Sequence, residues 1–195
     1  MSTDIDVRSL VTTEYLDLAD LADSLDDAAW DTLSLCDGWR VREVIAHMTM
    51  PARYTTEQFM AELAAHEFDF TRLSNAIASR DAELPTTRLV ADLRADVLHE
   101  WTPPGGDTSA ALNHAVIHKL DVTIALGVAG RVPGDTLRVV LDDLTAGGIA
   151  RHFGTDLTGH ELRTTDLDWS YGSGTPMVRQ AEELAVELCG RTLPG

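Results

Sequence analysis

Basic side chains are scarce in this chain of 195 residues, which has one lysine, Lys119, and fourteen arginines against 32 aspartates and glutamates. The formal net charge is -17 at pH 7. A surface of this sign repels phosphate backbones, so the composition argues against a nucleic-acid-binding protein. Otherwise the charge bears on solubility and not on the fold.

The chain also has few cysteines and no long apolar run. Cys36 and Cys189 lie far apart and make no disulfide framework, so both are expected to be reduced, structural thiols. No apolar stretch reaches the roughly 20 residues that span a membrane, and no basic-then-apolar segment opens the chain. These features predict a soluble, cytoplasmic protein.

Three familiar catalytic signatures are missing as well. The sequence has no glycine-rich phosphate-binding loop and no G-x-S-x-G elbow around a nucleophilic serine. Neither cysteine has a base close to it in sequence, which leaves a nucleophilic cysteine with little support. Any chemistry must therefore come from other residue types.

Helical periodicity dominates what is present, and it predicts a mainly α protein. Pro103-Pro104-Gly105-Gly106 is a clear break, and HELRTTDLDWSYGSG (160–174) has β character that predicts one short hairpin. We predict a helical bundle over residues 1–155, with a small hairpin-helix element over 156–195 packed on it. The predicted helices cover about 8–29, 41–51, 53–63, 70–80, 89–101, 107–127, 136–153 and 177–191.

One of these helices carries an unusual polar stripe. Residues 107–127, DTSAALNHAVIHKLDVTIALG, begin at an aspartate suited to N-capping and end at a glycine suited to helix termination. At about 100° per residue, the side chains divide into a broad apolar face and a narrow stripe. The stripe has small and lone-pair-bearing side chains where a water-facing helix would have Lys and Glu, so we predict that it lines a pocket. The broad face consists of Leu112, Val116, Ile117, Leu120 and Ile124, and the stripe of Asp107, Ala111, His114, His118, Asp121 and Ala125.

His114 and His118 are four residues apart and therefore stack about one turn apart on this stripe. Two imidazoles at this spacing can share a metal ion, as in the H-x-x-x-H part of zinc helices. Asp121 follows three residues later, where it could orient an imidazole or hold a substrate. For this helix taken alone, two partly exposed histidines without a ligand are the more common explanation.

A further candidate ligand is His47, in the predicted helix that runs from Val41 into Pro51. Pro51 has no N–H to donate to the carbonyl of His47, so the helix should bend there or leave that carbonyl free. A kink beside a candidate ligand favours a site, while a core histidine bonded to a neighbouring backbone group is the alternative. The other histidines are expected at the surface: His66, His99, His152 and His160.

Three ordered segments resemble the mycothiol-dependent maleylpyruvate isomerase family, within the DinB-like superfamily. CDGWRVREVIAHM (36–48) resembles the family's C-x-G-W segment, which opens a helix with the first metal-ligating histidine. HAVIHKLDVTIALG (114–127) resembles its second signature, a helix with two ligands four residues apart followed by an aspartate. TTDLDWSYGSG (164–174) and LCGR (188–191) resemble its C-terminal segment. The resemblance runs from about Trp30 to Arg191.

The resemblance implies a DinB-like four-helix bundle with a short α/β C-terminal element, and it implies His47, His114 and His118 as metal ligands. Isomerases of this family have a glutamate where this chain has His114, whereas three histidines are the usual set of the wider DinB-like proteins. The resemblance therefore supports the metal site more directly than it supports maleylpyruvate as the substrate. Zinc is the expected ion, with nickel or iron as alternatives that imidazole also suits.

Three neutral imidazoles leave a divalent ion with open coordination, which is typical of a catalytic site. By resemblance, a low-molecular-weight thiol, mycothiol, would bind there as the reactive thiolate and attack a small electrophile. The product would be an S-conjugate or, after release of the thiol, an isomerised alkene. The sequence thus predicts a metal-dependent thiol transferase or isomerase with Asp121 as a catalytic residue. A non-catalytic metal- or ligand-binding protein and a metal-dependent hydrolase are the alternatives.

The expected partners are therefore the electrophile and the thiol, with no nucleic acid and no membrane. A dicarboxylate electrophile would need a guanidinium clamp. Arg53, Arg72 and Arg80 are candidates for it, and the sequence does not choose among them. A homodimer is compatible with a bundle of this size.

Overall fold

The computed structural model describes residues 6–128, 132–146 and 153–194, which form eleven helices and three strands. The first helices are α1 (Val7–Asp23), α2 (Asp27–Trp30), α3 (Val41–Met48), α4 (Met50–Arg53), α5 (Thr56–Ala65) and α6 (Phe70–Asp81). They are followed by α7 (Thr86–Leu93), α8 (Asp96–Glu100), α9 (Thr108–Ala125) and α10 (Gly134–Ala146). The C-terminal part contains β1 (His160–Thr164), β2 (Ser170–Gly172), β3 (Thr175–Arg179) and α11 (Ala181–Leu188).

Four of these helices close a ring around the main core. α1 packs against α7 and α9, and α3 packs against the same two helices from the opposite side. Their apolar faces meet in fully buried side chains such as Tyr15, Ile45, Leu89 and Leu120. The predicted mainly α fold with a four-helix bundle is thereby confirmed. No helix among the described residues is long and apolar enough to cross a membrane.

The backbone breaks at Thr49, between α3 and α4, two residues before Pro51. Pro51 cannot donate to the carbonyl of His47, and the chain restarts as a separate short helix. Two carbonyls at the end of α3 accept bonds from side chains: Thr49 Oγ1 donates to Ile45 O at 2.6 Å, in addition to the Thr49 N–H, and Arg53 donates to Ala46 O. The bend predicted beside His47 is therefore present.

Two of the predicted helices are each split in two. The helix predicted over 8–29 ends at Asp23, and α2 begins where the Asp26 carboxylate accepts a bond from the Ala29 N–H. The helix predicted over 89–101 breaks at Ala95, whose backbone is extended. At each break, a local cap or turn replaces the continuous helix that the periodicity predicts.

The C-terminal element differs from the predicted hairpin and helix. Strands β1 and β2 do form an antiparallel hairpin, but β3 pairs parallel with β1, with Leu162 opposite Met177, and gives a three-stranded sheet in the order β2-β1-β3. The prediction of a helix from Met177 onward is wrong, because residues 175–179 pair as a strand. The helix begins only at Ala181, where the side chain of Glu183 accepts a bond from the Gln180 N–H.

Among the described residues, the sheet and α11 share the core of the bundle and have no separate core of their own. Leu162 and Trp169 of the sheet and Leu184 of α11 belong to the same buried cluster as the bundle helices. Trp169 Nε1 also donates to Asp142 of α10 at 2.7 Å. α10 ends at Ala146 within the described residues, and residues 147–152 of the helix predicted to 153, including His152, lie outside them.

Candidate metal centre

The structure brings His47, His114 and His118 together at one end of the α3–α9 contact. One ring nitrogen from each lies within 4.8 Å of the other two, and the Nε2 atoms of His47 and His114 are 3.2 Å apart. His114 and His118 come from successive turns of α9, and His47 comes from the last turn of α3. The stripe predicted from the sequence of α9 therefore faces a histidine of another helix.

Each of the three imidazoles is held at its other nitrogen. The Nδ1 atom of His47 lies 2.9 Å from Ser74 Oγ, that of His114 lies 3.3 Å from the Tyr15 hydroxyl, and that of His118 lies 2.9 Å from Asp121 Oδ2. An ionised carboxylate only accepts, so His118 carries its hydrogen on Nδ1 and presents the Nε2 lone pair. Metal-binding histidines are typically oriented by outer partners of this kind.

Burial keeps two of the imidazoles uncharged. It lowers the pKa of His47 and of His114 well below the usual range for histidine, and positive charge on His118 would lower both further. Neutral imidazoles with fixed Nδ1 atoms are the form in which histidine binds metal ions. The donor set thus fits a divalent ion such as zinc, with three nitrogens and one open position.

Behind His118, Asp121 is fully buried and ion-paired with Arg191. Arg191 Nε donates to Asp121 Oδ1 and Arg191 Nη2 to Oδ2, each at 3.0 Å. Burial alone would raise the pKa of Asp121, but the bonds from His118 and Arg191 outweigh it and lower that pKa to about 2. Both carboxylate oxygens already accept hydrogen bonds, so Asp121 is better placed to orient His118 than to contact a substrate.

Besides Arg191, Asp121 has another partner that the sequence did not reveal, the thiol of Cys36. Its thiol donates to Asp121 Oδ2 at 3.0 Å, and burial followed by the Asp121 charge raises the pKa of this thiol. Cys36, His118 and Asp121 also lie close enough together to be considered as metal ligands. The Arg191 guanidinium, 3.5 Å from Cys36 Sγ, already places a positive charge there, so we assign this cluster to positioning and not to a second ion.

The histidines open into a cavity of about 1310 Å³. The loop 33–39, the start of α6, one face of α9 and the C-terminal segment 189–194 line it. Trp39 packs on His47 with ring centroids 5.1 Å apart, and Trp101 packs on His114 at 5.0 Å. Aromatic rings therefore cover two of the three imidazoles, and the space beside them exceeds the ~300–1,000 Å³ of ordinary ligand pockets.

The three arginines proposed for a substrate clamp lie elsewhere. Arg53 is buried in ion pairs with Asp81 and Asp92, and it bonds to the broken end of α3. The other two form surface ion pairs, Arg72 with Glu67 and Arg80 with Glu62. None of them is among the described residues that line the cavity, whereas Arg191 is. This part of the sequence-based hypothesis is corrected by the placement of these side chains.

Histidines expected at the surface stay outside the cluster. His66 caps the end of α5 by bonding to the Glu62 carbonyl, and His99 lies near Asp96 in α8. His160 begins β1. Among the described residues, the three-histidine group is therefore formed by the residues singled out from the sequence.

Residues 11–103 match the family model described as the mycothiol maleylpyruvate isomerase N-terminal domain. Two solved structures have the same fold, both of a mycothiol-dependent maleylpyruvate isomerase. The first is 16% identical, with a TM-score of 0.64, over 100% of this chain and 94% of the other. The second, a histidine-to-alanine mutant, is 14% identical, with a TM-score of 0.63, over 98% and 93%. No curated protein matches the sequence. Residues 11–103 are therefore similar to the N-terminal domain of mycothiol maleylpyruvate isomerases, and along its length the chain shares the fold of these two structures.

Proposed function

We propose that this protein is a metal-dependent thiol transferase or isomerase that uses a low-molecular-weight thiol such as mycothiol. The observation that carries the proposal is the set of three histidines with fixed outer nitrogens, open to a large cavity. When bound, a divalent ion would lower the pKa of a thiol and so supply the thiolate nucleophile. The family match and the shared fold support thiol chemistry of this kind.

The chain's own residues would act by holding and orienting. His47, His114 and His118 would hold the ion, while Ser74 and Tyr15 fix the rings of the first two. Asp121 and Arg191 would fix the third ring from behind and act as positioning residues. Because Trp39 and Trp101 cover His47 and His114, they would limit the access of water to the reacting sulfur.

One addition step accounts for both products, the S-conjugate and the isomerised alkene. The thiolate sulfur adds to one alkene carbon, the π electrons move to the neighbouring carbon, and that carbon takes a proton from solvent. If the adduct leaves, the product is an S-conjugate and one thiol is consumed. If instead the carbanion rotates about the central bond before it is protonated, the thiolate departs as the double bond forms again, so the product is the other alkene isomer and the thiol is regenerated.

The proposal is tested on untagged protein by elemental analysis and by turnover with mycothiol. Diethyl maleate serves as the alkene, with nuclear magnetic resonance to separate conjugate from fumarate ester, and 1-chloro-2,4-dinitrobenzene serves as a substitution substrate. We expect near-stoichiometric metal and turnover that needs both metal and mycothiol. Turnover of ester without thiol would indicate a hydrolase, and bound metal without any turnover would indicate a binding protein. Either result would overturn the proposal.

Asp121→Asn is expected to weaken metal binding about 10- to 100-fold, the usual cost of losing the outer partner of a ligand histidine. The substitution keeps the shape of the side chain but removes the charge that orients His118 and pairs with Arg191. Competition with a chromogenic chelator measures the affinity. Asp37→Asn removes the same charge from an exposed position at the cavity and should leave the affinity unchanged. Equal affinities for the two variants would contradict the positioning role of Asp121.

A further inference from the structure

Exposed apolar side chains gather at the mouth of the histidine cavity. Nine large hydrophobic side chains are exposed among the described residues, and three of them line this one cavity. Leu33 is 68% exposed, Phe70 is 49% exposed and Phe153 is 43% exposed. They come from three separate parts of the chain. A cluster of exposed apolar groups around a concavity is typical of a ligand-binding surface.

The wall behind this rim continues the apolar character. Ile117 of α9, Leu144 of α10 and Leu193 of the C-terminal segment also line the cavity. A ligand that reaches the histidines through this mouth would therefore pass between hydrocarbon side chains. Burial of its own apolar surface would stabilise the complex by about 25 cal/mol for each Å² removed from water.

Apart from the ion proposed at the histidines, the charges of the cavity do not favour an anionic ligand. Among the described residues that line it, the charged ones are Asp37 and Arg191. Asp37 is exposed and negative, and Arg191 is already held by both oxygens of buried Asp121. A dicarboxylate would thus meet no described guanidinium free to form a clamp, in a protein whose formal net charge is -17.

We infer that the electrophile of this site is neutral and carries an apolar group, as in an α,β-unsaturated ester or ketone with an alkyl or aryl substituent, and is not a small dicarboxylate. This inference rests on the proposed function, since the electrophile is the second substrate of the same thiol reaction. The addition is the one already balanced: sulfur bonds to the alkene carbon distal to the carbonyl, and the carbon next to the carbonyl takes the proton.

Matched substrates with the same alkene test the inference. The whole chain is used, so the test includes any effect of Arg131 and Arg151, which lie outside the described residues. Diethyl maleate is compared with maleate, each as the ratio of catalysed to uncatalysed rate with mycothiol. We expect this ratio to be at least about tenfold larger for the diester, which corresponds to about 1.4 kcal/mol in the barrier.

Binding is measured separately from turnover through the fluorescence of Trp39 and Trp101, which contact the ligand histidines. The probes are unreactive: succinate, diethyl succinate and dibutyl succinate. Each buried CH₂ strengthens binding by up to about fourfold, so we expect the dibutyl ester to bind roughly tenfold or more tightly than the diethyl ester. Succinate is expected to bind least.

Leu33→Arg introduces a cation at the rim where the side chain is largely exposed, so the fold should tolerate it. We expect weaker binding of dibutyl succinate and stronger binding of succinate. Val178→Arg is the matched control: this residue is 46% exposed, lies in β3, and does not line the cavity. It adds the same charge and should change neither affinity.

The outcomes separate this inference from the proposed function. If maleate is turned over as well as the diester, the substrate class is wrong, while metal- and thiol-dependent catalysis stands. If no electrophile reacts but the succinate esters bind in the expected order, the apolar site stands and the proposed catalysis fails. If binding does not depend on chain length, or if Val178→Arg acts like Leu33→Arg, the inference is overturned.

Discussion

His47→Ala is expected to lose nearly all of its bound metal, and His114→Ala and His118→Ala should behave in the same way. Each variant leaves only two protein ligands, and the expected loss of affinity exceeds the roughly 100-fold that removal of an outer partner can cause. Elemental analysis after dialysis of untagged protein measures the stoichiometry. Thiol-dependent turnover should fall with it.

Two controls distinguish a lost ligand from a damaged fold. His66→Ala removes a histidine at the end of α5, outside the cluster, and should retain full metal and turnover. His114→Glu replaces one imidazole by a carboxylate ligand, and it should retain metal, since carboxylate also binds zinc. Helical circular dichroism reports folding in every variant. If all three alanine variants are folded and hold as much metal as the parent, these histidines are structural.

The helical parts of this site could be predicted because their signals are local. His114 and His118 share a face through the geometry of one helix, whatever surrounds it. The bend at Pro51 likewise follows from a missing N–H a few residues from His47. Local rules therefore located the three histidines, and the family resemblance joined them into one set.

The partners that hold these histidines left no comparable signal. In the sequence Ser74 is an ordinary helical serine. In the structure its hydroxyl bonds to His47, which is 27 residues away in the chain. Arg191 meets Asp121 across 70 residues and Cys36 across 155. Pairings at such distances depend on how whole helices and the C-terminal segment pack, and periodicity carries no information about them. The same limit applies to β3, whose parallel pairing with β1 is not visible in local periodicity.

Arg53 shows how tertiary structure can reassign a residue that looks functional. The sequence makes it a candidate clamp for a dicarboxylate, six residues after a candidate ligand. In the structure its side chain is 8% exposed and joins α4 to α6 and α7 through Asp81 and Asp92. It also donates to Thr49 Oγ1 and to the Ala46 carbonyl at the end of α3. The guanidinium that the sequence offers to a substrate is instead bonded to the end of α3, beside the break before Pro51.

Arg53→Met is therefore expected to destabilise the protein strongly, by up to about 3–5 kcal/mol, because it removes the buried cation that two buried carboxylates share. Asp81 and Asp92 would keep only their pairs with the half-exposed Arg80 and Arg88. For a chain of this size that loss of stability corresponds to a fall in Tm of roughly 6–20 °C. Methionine keeps an unbranched stem in the same space, so the loss would come mainly from charge and hydrogen bonding. Thermal unfolding followed by circular dichroism at neutral pH measures it.

Arg94→Met provides the matched control, since Arg94 also pairs with two aspartates, Asp20 and Asp23, but at the surface. Water already solvates those groups, so its Tm should hardly change. Addition of Asp81→Asn and Asp92→Asn to Arg53→Met removes the two charges that lost their buried partner and should recover part of the lost stability. If Arg53→Met unfolds at the same temperature as Arg94→Met, the buried network does not hold α4 in place. The position of His47, one turn before it, would then have to depend on Ser74 and the core alone.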